Sequence, residues 1–443
     1  IAPITGQVVH RGWVLTLTGR IDQIIRQAGA ITLREIKSVT RTLPAAEEEL
    51  RADYPEYFIQ IATYAALHRS GALVATPEGG PSIESNAPVP PGGGPGARAE
   101  LVFVEVGTGL AQTIPLTPAD DALFRAQLER IAGFLDLRLR ARDRLQNLRF
   151  RPAFAKPRPG QETTRAELTF HFEKQPLVFF EAPTGFGKTG VLLEFALGQL
   201  RAGHFDRALY LTSKSTGQLQ VVRTLGAMAA GLPPADPVPQ PEVALRHEQQ
   251  APGFQPGAFT AVAAWHVRNK SEHCVNTTFH CVRDNCLYLD GAASRWASSG
   301  LARFYLDERH ARDLDTLRAA GRDARICPYE ITRAALAFND VWIGDYNYVF
   351  APRNRGLFFE QPGFLAARTL VIIDEAHNLP SRVADTYSHA FTSAGAFTVR
   401  DELHRIRPMA TLVTAWDHWC HFLQHLRATD TLPAADEDDV RHL

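Results

Sequence analysis

Alternating apolar and polar positions dominate the first third of the chain. The runs at 13–17 and 31–37 alternate with the period of a strand that buries one face, and 57–64 has the period of a helix. A further strand is predicted at 100–106, followed by a long amphipathic helix over 120–147. A sheet of these strands with the helices packed on it would be an α/β domain.

Continuous apolar runs mark the remainder of the chain. Residues 179–181 are predicted to form a strand that leads into a glycine-bearing turn and then into a helix at 191–195. The runs at 207–213 and 370–373 have the composition of strands buried on both faces. Such strands, alternating with helices, predict a doubly wound parallel sheet.

The turn after the first of these runs has the residues of a phosphate loop. Gly185 and Gly187, which follow Thr184, let backbone N–H groups face phosphate oxygens. Lys188 reaches the β and γ phosphates, and Thr189 offers a hydroxyl to Mg²⁺. The strand–turn–helix context favours ATP binding over a chance match.

A second ATP motif follows the run at 370–373. Parallel strands end at a common edge, so Asp374 and Glu375 are expected beside the phosphate loop, Asp374 holding Mg²⁺ and Glu375 the attacking water. His377 completes the predicted nucleotide-binding set. The alternative interpretation of two adjacent acids is a helix N-cap. Together the motifs predict ATP hydrolysis coupled to movement.

The N-terminal strands carry a third candidate site. Alternation places Glu35 and Lys37 on one strand face, with Asp22 upstream, and two carboxylates beside a lysine can bind Mg²⁺ and activate water. Gln60 and Tyr64 lie one helical turn apart. Each piece alone is common on a solvated strand or a packed helix surface.

In this order the five residues resemble the RecB-type PD-(D/E)XK nucleases, over residues 1–148. The resemblance implies a metal-dependent nuclease, and the alternative is the same fold kept as a DNA-binding scaffold. Nucleases of this type usually carry a further histidine on an upstream helix. His10 is too close to Asp22 in the sequence to replace it, so the metal site is expected to lack one ligand or to be truncated.

Composition divides the chain near Phe150. Residues 70–98 are rich in Pro, Gly, Ser and Ala and are predicted to be a disordered insertion, and 149–443 form the predicted motor. The basic end of the helix at 120–147 could face DNA, although a solvated face is the favoured interpretation. Its arginines are Arg138, Arg140, Arg142 and Arg144.

Four of the five cysteines lie between the two ATP motifs. In a reducing compartment such thiols favour metal binding over disulfides, and their spacing favours a [4Fe-4S] cluster over zinc. The fifth, Cys420, is predicted to be a core residue. The four proposed ligands are Cys274, Cys281, Cys286 and Cys327.

The cysteines and the element at 340–348 resemble the XPD/DinG iron-sulfur helicases from residue 157 onward. The resemblance implies a first RecA-like domain, a cluster insertion at about 245–335, the start of a helical arch at about 381–443, and 5′ to 3′ movement on DNA. Gln161 would contact adenine. A second RecA-like domain has no counterpart here and the chain begins at Ile1, so a fragment is expected.

Several groups are candidates for DNA contact in this motor. The segment 214–220 offers hydroxyl and amide groups to a nucleic-acid backbone, with a helix N-cap as the alternative. Beside the cysteines, Arg268, Lys270 and Arg283 could meet phosphates, and Trp265 or Tyr288 could stack on a base.

The charge and hydropathy of the chain do not narrow its function further. The formal net charge of −1 neither supports nor excludes a nucleic-acid partner, and no apolar run is long enough to span a bilayer. We expect a cytoplasmic nuclease–helicase that acts on single-stranded or branched DNA in repair or processing. The alternatives are an ATP-gated nuclease of mobile-element defence and a DNA-binding adaptor with a degenerate nuclease. The sequence does not specify which protein partners it has.

Overall fold

The structure is a computed structural model that describes residues 2–27, 30–69, 98–229, 262–279, 281–282, 286–296, 298–306, 312–388 and 391–425. The chain divides into two compact units, Ile1–Asp345 with Glu360–Ile372, and Tyr346–Phe359 with Ile373–Leu443. The insertion predicted at 70–98 lies outside the described residues except for its last residue, which begins a strand.

Two sheets form the N-terminal part of the first unit. The elements are β1 (Ala2–His10), β2 (Trp13–Ile21), β3 (Gln23–Gln27), β4 (Ala30–Val39), α1 (Glu47–Asp53), α2 (Pro55–Arg69), β5 (Arg98–Glu105), β6 (Ala111–Pro115) and α3 (Asp120–Gln146). An antiparallel hairpin joins β1 to β2, and the other strands form a sheet of order β3-β4-β5-β6 in which β4 and β5 are parallel. The strands and helices predicted in this region are confirmed.

Helix α2 packs on the core-facing side of this sheet. Leu33 of β4 and Leu101 and Phe103 of β5 are fully buried and share one core with Phe58 and Ile61 of α2. Because side chains alternate along a strand, the residue two positions after Leu33 also points to the side on which α2 packs. That residue is the predicted site carboxylate.

A second four-stranded sheet lies in the same unit. Its elements are α4 (Gln161–Lys174), α5 (Lys188–Arg201), β7 (Arg207–Leu211), α6 (Ser215–Ala229), β8 (Ala264–His266), β9 (Val341–Gly344) and β10 (Thr369–Ile373). The order is β10-β7-β9-β8, and β9 runs parallel to both β7 and β8. Every residue of β7 is buried, as the run at 207–213 predicted, and so is every residue of β9. In β10, Val371 is 41% exposed, so burial on both faces is wrong for this position of the run at 370–373. The α/β class with a parallel sheet is confirmed.

The strand predicted before the phosphate loop is wrong. Residues 176–183 are irregular and have no ladder partner among the described strands. Phe180 packs partly on the core of the second sheet, whereas Phe179 is 85% exposed. An apolar run alone does not make a strand, because a strand also needs a neighbour for its backbone hydrogen bonds.

Short helices connect β8 to β9, and helices also form the second unit. The first group is α7 (Lys270–His273), α8 (Ala292–Trp296), α9 (Arg303–Leu306), α10 (Leu314–Ala324) and α11 (Pro328–Leu336). The second group is α12 (Asn347–Phe350), α13 (Gly356–Phe359), α14 (Leu379–Tyr387), α15 (Ser393–Ile406) and α16 (Ala410–His425). Cys420 of α16 is buried, as predicted. Within the ranges described, no helix has the length and hydropathy needed to cross a bilayer.

Candidate functional site

The predicted phosphate loop has the backbone of an anion-binding turn. Gly185 and Gly187 have φ of 83° and 91°, a region that residues with a side chain rarely adopt, and α5 begins at Lys188. A Cβ on Gly187 would lie 2.5 Å from the ring of Phe154, so this position also needs glycine for space. The free N–H groups of the first turn of α5 favour phosphate binding at this end.

Two side chains support the loop from inside the protein. Lys188 Nζ donates to the carbonyl of Ala182 at 2.9 Å, which holds the ammonium at the loop. Gln161 is buried; its Nε2 donates to the carbonyl of Phe186 at 2.6 Å, and its Oε1 accepts from the N–H of Arg158 at 2.9 Å. Gln161 therefore braces the loop, and its contact with adenine stays a prediction.

The second ATP motif lies in the second unit, directly after β10. Glu375 has φ of 56° and an exposed side chain, and Nδ1 of His377 lies 3.4 Å from Glu375 Oε2. The hydroxyl of Tyr346 donates to the carbonyl of Asp374 and also to that of Glu375, the latter at 3.0 Å. Tyr346 thus fixes the backbone that presents both acids, a role that the sequence analysis did not assign.

All five residues of the third predicted site are brought together. Glu35 is only 2% exposed, and its Oε1 accepts from Lys37 Nζ and from Gln60 Nε2, both at 2.9 Å. Gln60 also donates to the hydroxyl of Tyr64 at 2.9 Å. The backbone N–H of Asp22 lies 3.3 Å from Glu35 Oε2. Glu35 is therefore the centre of one hydrogen-bonded group.

This group fits a magnesium site of the kind that a nucleic-acid substrate completes. Mg²⁺ is commonly held by one or two carboxylates together with substrate phosphates. The carboxylate of Asp22 accepts from the backbone N–H of Ile36 at 2.9 Å, the residue that follows Glu35 on β4. His10 does not join them, because its Nε2 pairs with Glu129 of α3 at 2.7 Å and its hydrogen bond lowers the pKa of Glu129. Across the described part of the chain, no three His, Cys, Asp or Glu side chains lie close enough to share a metal ion.

The four cysteines between the ATP motifs line one small cavity. Cys286 and Cys327 are buried, Cys274 is partly buried and Cys281 is exposed, and all four are free thiols. Burial raises the pKa of Cys327 to about 11, so this thiol stays protonated at neutral pH unless a nearby cation stabilises the thiolate. Although the four thiols share this cavity, no three of them lie close enough in the described residues to hold one metal ion, so an iron-sulfur cluster or zinc here stays a prediction.

The aromatic DNA contacts predicted beside the cysteines are partly wrong. Trp265 is only 2% exposed and its Nε1 donates to Thr332 Oγ1 at 3.2 Å, so it is a core residue that cannot stack on a base. Tyr288 is partly exposed and lines the cysteine cavity. Arg268 pairs with Glu272 at 3.2 Å. Arg283 lies outside the described residues.

In the 214–220 segment, the side-chain amide of Gln218 is used for packing inside the protein. Gln218 is buried, and its Oε1 lies 2.9 Å from Nε2 of His266 while its Nε2 donates to the carbonyl of Thr212 at 3.4 Å. Burial lowers the pKa of His266 to about 4, so this ring is neutral at pH 7 and can donate to the Gln218 oxygen. Gln218 therefore joins α6 to β8, which leaves the exposed start of the segment for any contact with a nucleic acid.

The sequence favoured a solvated face for the arginines at the end of α3, and this prediction is wrong. Arg138 and Arg144 are each 17% exposed and pair with the fully buried Asp340, which directly precedes β9. Arg142 lies 3.6 Å from Asp206. The basic end of α3 therefore packs against the sheet of β7 to β10, and Arg138 and Arg144, which are mostly buried and paired with Asp340, are not available to DNA.

Comparison with known proteins finds similarity to helicases. Residues 260–395 match the DEAD_2 family model. The chain is 28% identical over 138 residues to the Fanconi anemia group J protein homolog of Gallus gallus, covering 30% of this chain and 10% of the relative. It is 23% identical over 271 residues to the general transcription and DNA repair factor IIH helicase subunit XPD of Arabidopsis thaliana, covering 56% and 33%.

Two further comparisons are of a third relative and a solved structure. The regulator of telomere elongation helicase 1 homolog of Anopheles gambiae is 29% identical over 105 residues, covering 24% of this chain and 10% of the relative. A solved XPD helicase superposes with a TM-score of 0.38 at 18% identity, over 59% of this chain and 40% of its own. The chain spans a third or less of the length of these curated relatives. The matched region is therefore similar to XPD-type helicases, and residues 260–395 match the DEAD_2 model.

Proposed function

We propose that the protein is an ATP-dependent DNA helicase or translocase of the XPD/DinG type that acts in DNA repair or processing. The phosphate loop carries this proposal: two left-handed glycines open onto the N-terminus of α5, where Lys188 is already held at the loop. The DEAD_2 match and the helicase names of the relatives support DNA as the partner. Movement from 5′ to 3′ follows from the resemblance alone.

Each ATP motif has a distinct part in this proposal. Lys188 neutralises the phosphates, and the hydroxyl of Thr189 is a ligand for the Mg²⁺ that accompanies ATP. In the second unit, Asp374 supplies a carboxylate for Mg²⁺ and Glu375 orients the attacking water. Bound Mg²⁺ contributes stabilisation of the charge that develops on the transferred phosphate.

We also propose a metal-dependent nuclease on the N-terminal sheet. The observation that carries it is the buried carboxylate of Glu35, which receives hydrogen bonds from both Lys37 and Gln60. Asp22 and Glu35 would hold Mg²⁺, and Lys37 would stabilise charge on the scissile phosphate. A buried carboxylate with this support is the arrangement of a working site, which favours a nuclease over the adaptor with a degenerate site.

The ATP site is tested by Lys188→Ala. We expect the variant to lose binding of a fluorescent ATP analogue at least about tenfold, because the ammonium that faces the phosphates is removed while the turn of the loop is kept. Fluorescence anisotropy measures the affinity. Lys174→Ala, which removes an exposed lysine of α4, is the control and should bind as the unaltered protein does. Equal affinity for all three proteins would remove the phosphate loop as the nucleotide site.

The cysteine cavity is proposed to hold a [4Fe-4S] cluster, tested by Cys327→Ser. Protein purified without oxygen should be brown and contain iron and sulfide, and the variant should lose both because one of four thiolate ligands is missing. Nucleotide binding should persist, since Cys327 is far from the phosphate loop in sequence and lies in the segment between β8 and β9.

Cys420→Ser is the matched control for this experiment. Cys420 is also buried but lies on α16 and does not line the cavity. Its substitution should leave the iron and sulfide content unchanged. Stoichiometric zinc without sulfide in the unaltered protein would overturn the cluster and leave a zinc site in its place.

A further inference from the structure

Guanidinium groups collect where α3 meets the amino ends of β7 and β9. Asp340, directly before β9, is fully buried and accepts from the N–H of Ala263 at 3.0 Å as well as from Arg144. Arg138 Nη1 lies 3.8 Å from the other carboxylate oxygen of Asp340. Arg207, the first residue of β7, lies beside the same group, because the next residue, Ala208, pairs with Val341 and donates its N–H to the carbonyl of Asp340 at 2.8 Å.

Arg207 is the residue that ordinary packing does not explain. It is 2% exposed, and its guanidinium lies 4.2 Å from the ring centre of Trp342. Its Nε and Nη2 are buried and have no hydrogen-bond partner among the described residues, and the same holds for Nη1 of Arg138. No ion pair of Arg207 with a carboxylate occurs in the part of the chain that the structure describes.

Charge makes this arrangement costly. Burial, with the nearby charge of Arg138, lowers the pKa of Arg207 to about 9, and burial also lowers the pKa of Arg138. A value of about 9 still leaves Arg207 charged at pH 7. A water molecule could accept its hydrogen bonds, but water brings no negative charge to balance two neighbouring guanidinium groups.

We propose that this cluster binds a small divalent oxyanion of the phosphate or sulfate type, held by Arg138 and Arg207. The oxygens of such an ion accept several guanidinium hydrogen bonds at once and balance the charge. Arg142 and Arg368, which are 58% and 39% exposed, pair with Asp206, the residue directly before Arg207. The bound ion would join α3 to the sheet of β7 to β10.

A sulfate titration of the whole chain tests the site. The background carries Lys188→Ala, so that the phosphate loop does not contribute, and chloride is exchanged for sulfate at constant ionic strength. At a concentration well above its Kd, sulfate should raise the Tm by about 3 °C, because only the folded protein binds the ion. A Tm that is equal in chloride and sulfate would overturn the proposal.

Substitutions assign the effect to the cluster. Arg138→Gln should abolish the sulfate-dependent rise, whereas Arg130→Gln, an exposed arginine of the same helix, should keep it. Asp340→Asn should tighten sulfate binding about tenfold, because the one competing buried carboxylate is gone. A purely structural ion-pair network gives the opposite signature, in which Asp340→Asn lowers the Tm and sulfate has no effect.

Direct detection keeps the test decisive if a variant fails to fold. Crystals of the unaltered chain soaked in selenate should show anomalous density between Arg138 and Arg207. Density elsewhere only, or density at the cluster without the sulfate-dependent rise in Tm, would mean an adventitious ion only and would overturn the proposal.

Discussion

Glu35→Gln should lower metal-dependent cleavage of single-stranded DNA at least about a thousandfold. Glutamine keeps the size of the side chain and can still accept from Lys37 or Gln60, but it removes the negative charge that holds Mg²⁺. The fold should persist, because Glu35 forms hydrogen bonds at the edge of a core whose apolar contacts are unchanged. The measurement is release of labelled nucleotides in Mg²⁺ and, separately, in a chelator.

Two controls separate this outcome from general damage. Glu56→Gln, an exposed acid at the start of α2, should cleave as the unaltered protein does. ATP binding by Glu35→Gln should also be unchanged. Neither the phosphate loop nor the second ATP motif belongs to the Glu35 group, the hydrogen-bonded set of Asp22, Glu35, Lys37, Gln60 and Tyr64. Cleavage that survives Glu35→Gln, or that is absent from the unaltered protein in every divalent metal, would sink the nuclease proposal.

The Glu35 group was predictable because each part of it is set by local periodicity. Alternation along β4 fixes Glu35 and Lys37, and one helical turn fixes Gln60 and Tyr64. What the sequence did not give is the direction of the contacts. That Gln60 binds Glu35 and Tyr64 with one amide nitrogen follows from the packing of α2 on β4, which only the fold determines.

The burial of the arginines of α3 could not be predicted from local sequence patterns. A basic helix end is usually solvated, and the sequence contains nothing beside Arg138 or Arg144 to suggest otherwise. Their partner, Asp340, lies almost two hundred residues later and belongs to the other sheet. Long-range pairing of this kind is fixed by topology and not by local pattern, so the buried cluster could not be predicted.

The phosphate loop was predicted correctly in its turn and helix but not in its strand. Glycine spacing fixes the turn because few other residues adopt φ near 90°. The preceding strand depends on a neighbour in the sheet, and the run at 179–181 has none among the described strands. The prediction that Trp265 stacks on a base was wrong for another reason. An aromatic residue beside basic ones in the sequence is found both in cores and at nucleic-acid surfaces.

The last prediction separates binding of ATP from its hydrolysis. Glu375→Gln should lower the DNA-stimulated kcat for ATP hydrolysis by about a hundredfold to a thousandfold, because the group that orients and activates the attacking water is lost. The affinity for ATP should stay within about threefold of that of the unaltered protein, since Lys188 still faces the phosphates.

The backbone around Glu375 should survive this change. Its position is held by the hydroxyl of Tyr346, which donates to the carbonyls of Asp374 and Glu375 and not to their side chains. Steady-state hydrolysis and nucleotide affinity, measured on the same preparation, give the two numbers. Glu360→Gln, an exposed acid between α13 and β10, is the control and should hydrolyse ATP normally. If Glu375→Gln lost affinity as fully as Lys188→Ala, Glu375 would be a nucleotide ligand and its assignment to water would be wrong.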